Sequence, residues 1–564
     1  MAPERSWRKT IRTGLLWGTA AIFIALVGLA EVLQKRQIIT GVISGGHALL
    51  LVVALGAGVY AARQRRDERV GKRLAAGALA GAIAGVMVAA LVALSTAVNF
   101  RAMIVGATPE LFALLSFGRG VAALPWIALI WAGVALLGAA LTLLPGRVRS
   151  ALTSGLGVLL GVGLLQEQVQ LLLQSDRVVR FRELIFTFDG LTPAGAVIVA
   201  VVTAFLSSVW QWQRPKVSRR VAALPPAPRR ALQVVGFLAA LALIIVMPLF
   251  LGPFFSQALV LVGLYTLMGL GLNLEVGFAG LLDIGFVAFF AIGAYTVGLL
   301  TSTGPLGIFH LSWWVAVMIA VVVSLISGVF FGLPILGIRG DYLAIATLGF
   351  GEIIRLLVLS DFLRPTLGGS QGVLSIPKPV LFGFEFSGPQ QLFFLTLGAS
   401  AIVAFVAARL RDSRLGRAWM AMREDEDVAQ AMGINLVNVK LLAYGIGAVF
   451  AGVGGAIFAV MVGSIFPHSF SVLVSINVLA LIIVGGLGSL PGVAVGSLFL
   501  VGLPELLREF SEFRFLVYGA ALMAMMILRP EGLWPAAALR RELHEEVERV
   551  PEGELVEAPG GGGS

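Results

Sequence analysis

Long apolar runs dominate the chain, separated by short polar segments. A helix that crosses a bilayer needs about 20 mostly apolar residues. Runs of that kind lie at 14–33, 38–62, 74–98, 121–145, 151–173 and 190–212. A second set lies at 231–252, 256–276, 281–301, 312–336, 341–360, 390–410, 438–462, 471–487, 491–508 and 513–529. The pattern predicts an all-α, polytopic transmembrane helical bundle of about 16 segments. Between 471 and 508 the run is interrupted by Gly485, Gly486, Gly488, Pro491 and Gly492, so it reads as one bent helix or two shorter ones. Arg5, Arg8, Lys9 and Arg12 precede the first run, as in a secretory leader. No small-x-small cleavage pattern follows Ala30, where Glu31 comes next, so a retained first helix is expected.

The basic loops set the orientation. Segments 5–12, 63–73, 147–149, 214–230 and 409–423 fall on one side when spans are counted from an inside N-terminus. Cytoplasmic loops are enriched in Lys and Arg, so the N-terminus and the loop 411–437 are expected in the cytoplasm. Lys35 and Arg36 fall on the outer side, as do Arg177, Arg180 and Arg182, which Asp176, Glu183 and Asp189 balance. The segment 214–230 carries Pro225, Pro226 and Pro228 and is expected to break helix and mark a boundary. Before it, residues 1–230 form an Ala/Leu/Val/Gly-rich N-terminal extension. After it, residues 231–535 carry Asn, Asp, Glu and many Gly inside apolar spans. The tail 536–559 is polar, and 560–564 reads as an added glycine linker.

Composition narrows the function classes. Of 564 residues 58% are hydrophobic and 13% charged, against about 25% charged in a soluble domain. That excludes a soluble enzyme, a disordered chain and a nucleic-acid binder. The net charge of +10 then belongs to the loops. With no Cys there is no disulfide, thiolate metal site or Cys nucleophile. His47, His310, His468 and His544 are far apart and show no metal-ligand spacing. No GxxxxGK[ST] phosphate loop occurs, so the chain is not expected to hydrolyse ATP by that route or to be an enzyme. Gly368-Gly369-Ser370-Gln371-Gly372 matches GxSxG, but it lies between spans and not between a strand and a helix, so it reads as a glycine turn.

Three segments carry chemistry. The first, 269–298, places Asn273, Glu275 and Asp283 among many glycines in an apolar stretch. Charged groups at membrane depth face a bundle interior or a water-filled path, and broken helices accompany such sites. These three residues and Glu352 are candidates for a translocation pathway; the competing reading for Glu275 is a hydrated membrane boundary. In the second segment, Glu352 and Arg355 are three apart and can form a structural ion pair. The third, 411–440, predicts a short helix over 418–432 that Gly433 terminates. Trp419, Met422, Val428, Ala431 and Met432 would supply its apolar contacts. Such a helix docks in a groove of a soluble partner or lies on the membrane, and the acidic run Glu424–Asp427 opposes the second choice.

Taken in order, these segments resemble the membrane subunits of ABC importers for branched-chain amino acids, the LivM-type permeases. The resemblance covers about 250–535. It rests on Gly271–Leu274, Phe289–Tyr295, Tyr342–Ile345, Phe350–Arg355, Gly368–Gly372, Gly416–Ala418, Arg423–Glu426, Ala431–Asn435, Gly485–Ser489 and Arg529–Leu533. It implies that about 10 of the segments form a permease core. It also implies that 411–437 is a coupling loop, in which Asp427-Val428-Ala429 followed by Gly433 loosely fits the pattern Glu-Ala-Ala-x3-Gly. Arg423, Glu424, Asp425, Glu426, Asp427, Ala429 and Gly433 would then meet an ATPase. ATP and Mg would sit in two partner ATPase subunits, with no cofactor in this chain. A second permease subunit in a heterodimer, an external substrate-binding protein and the lipid of a prokaryotic cytoplasmic membrane complete the expected partners.

Two departures concern the substrate. The family's polar Gln-x-Ser-x-Gly-His run after Gly280 is replaced here by Leu281–Phe286 with Asp283, and an apolar position carries Glu275. Leu, Ile and Val are the default substrates by resemblance; other amino acids, urea and short amides use similar permeases. The alternative is an ion-coupled secondary transporter or channel in which Glu275, Asp283 and Glu352 bind protons or cations.

Overall fold

The computed structural model describes residues 3–104, 106–172, 179–222, 226–338, 340–506 and, intermittently, 508–535. The tail 536–559, the terminal 560–564, part of the expected span 513–529 and the loop residues Asp176 and Arg177 lie outside them. The described residues are overwhelmingly helical, with two short antiparallel hairpins at 37–44 and 380–385. The chain divides into two compact units, 1–242 and 243–564.

The first unit is built on α1 (Pro3–Leu26), α2 (Gly45–Arg63), α3 (Val70–Ser95) and α4 (Leu124–Leu141). These helices meet through alanine and glycine. Ala54, Ala57, Ala61, Ala76, Ala80, Ala84, Ala135 and Ala139 have no exposed surface. Small residues at such spacings let helix backbones approach closely, which is how helices associate where lipid removes the hydrophobic drive. Ser44 starts α2 by accepting the His47 N–H. The helices α5 (Gly146–Leu164) and α6 (Pro193–Ala222) pack on each other.

The chain then enters α7 (Pro226–Leu272), inside which the division between units falls. The second unit continues with α8 (Val287–Thr301), α9 (Trp313–Gly332), α10 (Asp341–Leu359), α11 (Pro389–Arg411), α12 (Arg414–Glu424), α13 (Glu426–Ala431), α14 (Leu436–Val462), α15 (Val472–Gly485) and α16 (Leu490–Ser497). At its centre α14 packs against α8 and α9. A Cβ at Gly293 would strike the Gly452 carbonyl, and one at Gly455 would strike the Phe290 carbonyl. Trp313 Nε1 donates to the Ala456 carbonyl at 3.2 Å. Phe290, Tyr295, Phe458 and Phe470 fill the adjoining space, with ring centroids 5.3–5.9 Å apart.

The expected count of about 16 spans is not reached among the described residues. Among the described residues nine helices are long and apolar enough to cross a bilayer, or ten if α15 and the helix after it form one span bent by 119°. The runs 231–252 and 256–276 form two helical stretches of α7 that meet at a kink at Gly252, whose φ of 79° and ψ of −179° are not helical. The run 281–301 yields only the 15 residues of α8. Basic residues inside α1 and α5 dilute their apolar runs. Pro225 lies in 223–225, outside the described residues; on either side α6 continues to Ala222 and α7 begins at Pro226. Pro226 and Pro228 fall in a first turn, where backbone N–H groups have no intrahelical acceptor to lose.

The close approach of α8 and α14 generates a test. Gly455→Ala forces a methyl into the Phe290 carbonyl and should destabilise by about 1–3 kcal/mol, the range for overpacking. Gly398→Ala, on α11 with open space around it, should leave the thermal midpoint of the detergent-solubilised chain unchanged. Equal midpoints for both variants would contradict the packing described.

Candidate functional site

The site begins where α7 stops being α-helical. Asn273–Phe278 form a π-helical turn, and regular helix resumes only at Val287. Such turns cluster at functional positions. Glycine explains the break. Gly280 has φ 74°, which a side chain rarely tolerates, and Gly285 lies so close to α10 that a Cβ would strike the Thr347 carbonyl.

The polar residues of the broken segment point inward. Asn273, Glu275 and Asp283 are all buried. The side-chain carbonyl of Asn273 accepts the Gly488 N–H at 2.9 Å, linking this break to the bend between α15 and α16. Its amide nitrogen has no partner. Asp283 accepts the Gly285 N–H at 2.7 Å, and the Thr347 hydroxyl accepts the Ile284 N–H at 3.0 Å. Ser475 of α15 accepts the Val287 N–H at 2.9 Å and so caps α8. Both carboxyl oxygens of Glu275 lack a hydrogen-bond partner. The carboxyl fits against α14 because position 447 is glycine; a Cβ there would collide with Oε1. Glu275 and Asp283 lie within electrostatic reach of each other, and neither is ion-paired among the described residues. Burying two acidic side chains in this way is expensive and is usually tied to function.

Asp283, Thr347 and Tyr444 share a pocket with Phe289, Phe331 and Phe350. Its volume of about 20 Å³ holds one water molecule and no amino acid. The Tyr444 hydroxyl is buried without a partner. Sequence reasoning missed Thr347, Tyr444, Gly447 and Ser475. Tyr444 and Gly447, one turn apart on an apolar helix, offered a weak signal that needed the opposite wall to be read.

Glu352 does not join this group. Arg355 Nε donates to both of its carboxylate oxygens at 3.0 Å. The side chains are 35% and 28% exposed, and Glu352 is not on the Asp283 pocket. The glycine-rich match at 368–372 is a turn: Gly368 ends a four-residue helix, and Gly369–Gln371 make one 3-10 turn. Among the described residues no group of His, Cys, Asp and Glu could hold a metal ion.

On the segment 411–437 the expected helix over 418–432 is two helices. Asp425 is extended, at φ −158° and ψ 115°, and its carboxylate accepts the N–H groups of Asp427 and Val428 at 2.9 and 3.0 Å. That side chain starts a new helix where the acidic run suggested continuation. Gly433, φ 86°, follows α13. The apolar residues divide between two directions. Trp419 and Met422 are buried, and Trp419 Nε1 donates to the Val439 carbonyl at 2.8 Å. Val428 and Met432 are 58% and 80% exposed. Ala429 is buried, Glu424 and Asp427 are exposed, and Glu426 pairs with the buried Lys440 at 2.8 Å. Arg423 Nη1 donates to the Gly277 carbonyl at 2.6 Å, so this segment touches the broken span directly.

Comparison with known proteins agrees with this arrangement. A family model described as the permease component of branched-chain amino acid transport systems matches residues 254–529. The high-affinity branched-chain amino acid transport system permease proteins LivM of Salmonella typhimurium and Escherichia coli are each 41% identical over 295 residues. That span is 48% of this chain and 68% of theirs. The permease protein LivH of Escherichia coli is 25% identical over 288 residues, 48% of this chain and 90% of LivH. No solved structure matches. By its likeness to two thirds of the LivM sequence and by the family match across its second unit, the chain belongs to the permease family of branched-chain amino acid transport systems.

Proposed function

We propose that the chain is one permease subunit of an ABC importer that moves branched-chain amino acids across the cytoplasmic membrane of a prokaryote. The N-terminus and the segment 411–437 face the cytoplasm, as the basic loops require. The observation that carries the reading is the pair α12–α13. Its inner side is fixed to the unit by Trp419, Met422 and Lys440, while Val428, Met432, Glu424 and Asp427 stand exposed. A short anchored helix pair with an apolar and acidic outer face suits the cleft of a soluble ATPase.

In this reading two ATPase subunits bind ATP and Mg, an external protein delivers the substrate, and a second permease completes the path. Likeness to both LivM and LivH proteins supports a related second permease. Asn273, Glu275 and Asp283 line the path, and Asp283 meets the ammonium group of the passing amino acid. The present pocket is too small for that substrate, so passage requires α8, α10 and α14 to part. Glu352 and Arg355 serve as a structural ion pair. An ion-coupled carrier would not need α12–α13.

Gentle-detergent purification from native membranes, followed by mass spectrometry, should recover two P-loop ATPases and a second permease; recovery of the chain alone would refute the assignment. Deleting Glu424–Gly433 should abolish uptake while membrane insertion persists. Asp283→Asn should lower uptake by about tenfold, the scale of one hydrogen bond to a charged group. Unchanged uptake at normal expression would remove Asp283 from the path.

A further inference from the structure

The end of the π-helical turn has a particular electrostatic need. Carbonyls at a helix C-terminus lack intrahelical donors and carry partial negative charge. At Gly277 the donor is Arg423, which comes from α12, 146 positions away in sequence. The side chain does not turn toward the acids beside it. Glu424–Asp427 follow directly, yet Arg423 makes no ion pair among the described residues. Its stem lies against Gly280, where a Cβ would come within 2.9 Å of the Arg423 Cγ. Gly280 thus supplies both the positive φ of the break and the surface on which the arginine rests. The Leu281 N–H donates to the Glu275 carbonyl at 2.9 Å, so the arginine-held turn is closed onto the residue that carries the buried carboxyl. The other end of the link is also fixed, because Trp419 and Met422 seat α12 in the unit.

We infer that Arg423 is a positioning residue: a strut that carries displacement of α12 to the broken segment 273–286 and so to Glu275 and Asp283. The inward face of the coupling segment then has a task distinct from contact with an ATPase. A guanidinium suits it, because it stays charged and its planar fork holds direction at a carbonyl better than an ammonium. The transport half of this inference rests on the function proposed above; the positional half does not.

Two measurements separate them. Hydrogen–deuterium exchange on the full chain in detergent, without partners, tests position. Arg423→Ala should raise exchange of amides 279–285 by about tenfold, the scale of one lost hydrogen bond to a charged group. Amides of α8 beyond its first turn should stay at the wild-type rate, and Arg423→Lys should fall between. Unchanged exchange at 279–285 overturns the inference. If Arg423→Ala loosens the whole unit, Arg423→Met decides, since it keeps an unbranched stem against Gly280 and removes only the donor to the Gly277 carbonyl. A rise confined to 279–285 in that variant supports the strut, and none overturns it. In the assembled transporter in proteoliposomes, Arg423→Ala should lower substrate moved per ATP hydrolysed by about fivefold with the ATPases still bound. Arg423→Lys should recover part of that ratio. A wild-type ratio in Arg423→Ala overturns the transmission step. Wild-type preparations without any ATPase would count against the proposed function and not against the exchange result.

Discussion

Everything in the second unit depends on one constraint: backbone polar groups away from water must find partners inside the protein. A continuous helix meets that demand by itself. The chain forgoes it over 273–286, and most of the missing partners come from elsewhere. Thr347 serves Ile284, Ser475 serves Val287 and Arg423 serves Gly277, while Asp283 serves Gly285 from within the break. Thr347, Ser475 and Arg423 each sit on a different stretch of chain. The break therefore exists only as long as those stretches stay assembled around it.

A second interruption shares the arrangement. The bend between α15 and α16 offers the Gly488 N–H to Asn273, so one side chain ties two irregular segments together. Close contact along α14 makes this possible. Glycine at 447, 452 and 455 removes the side chains that would hold the π-helical turn, α9 and α8 away in turn. Close packing along α14 therefore borders an irregular stretch of backbone that carries buried polar groups.

Much of this was legible in the sequence, and the losses have physical reasons. Apolar runs revealed the helical, membrane-spanning class, because a period-free apolar stretch of that length has few other uses. The described residues yield fewer spans than the runs suggested, because hydropathy does not register whether a run is bent, as at α15, or folds into a helix of only 15 residues, as at α8. Glu352 and Arg355 paired as their spacing required. The break at Asn273–Asp283 was visible as acids among glycines. Its supports were not, since Thr347 and Tyr444 become polar walls, and Gly447 a space for the acid, only when distant helices meet. Asp425 was misjudged for a different reason. An acid within an acidic helical run looks like one more exposed charge, and only its backbone geometry marks it as the cap of a second helix.

The fit of Glu275 against Gly447 also makes the two positions depend on each other. A Cβ at 447 would meet Glu275 Oε1, the far end of a flexible side chain, so a methyl there asks the acid to rotate and not the backbone to move. The direction in which one buried acid points is thus set by a single carbon atom missing from the helix it faces.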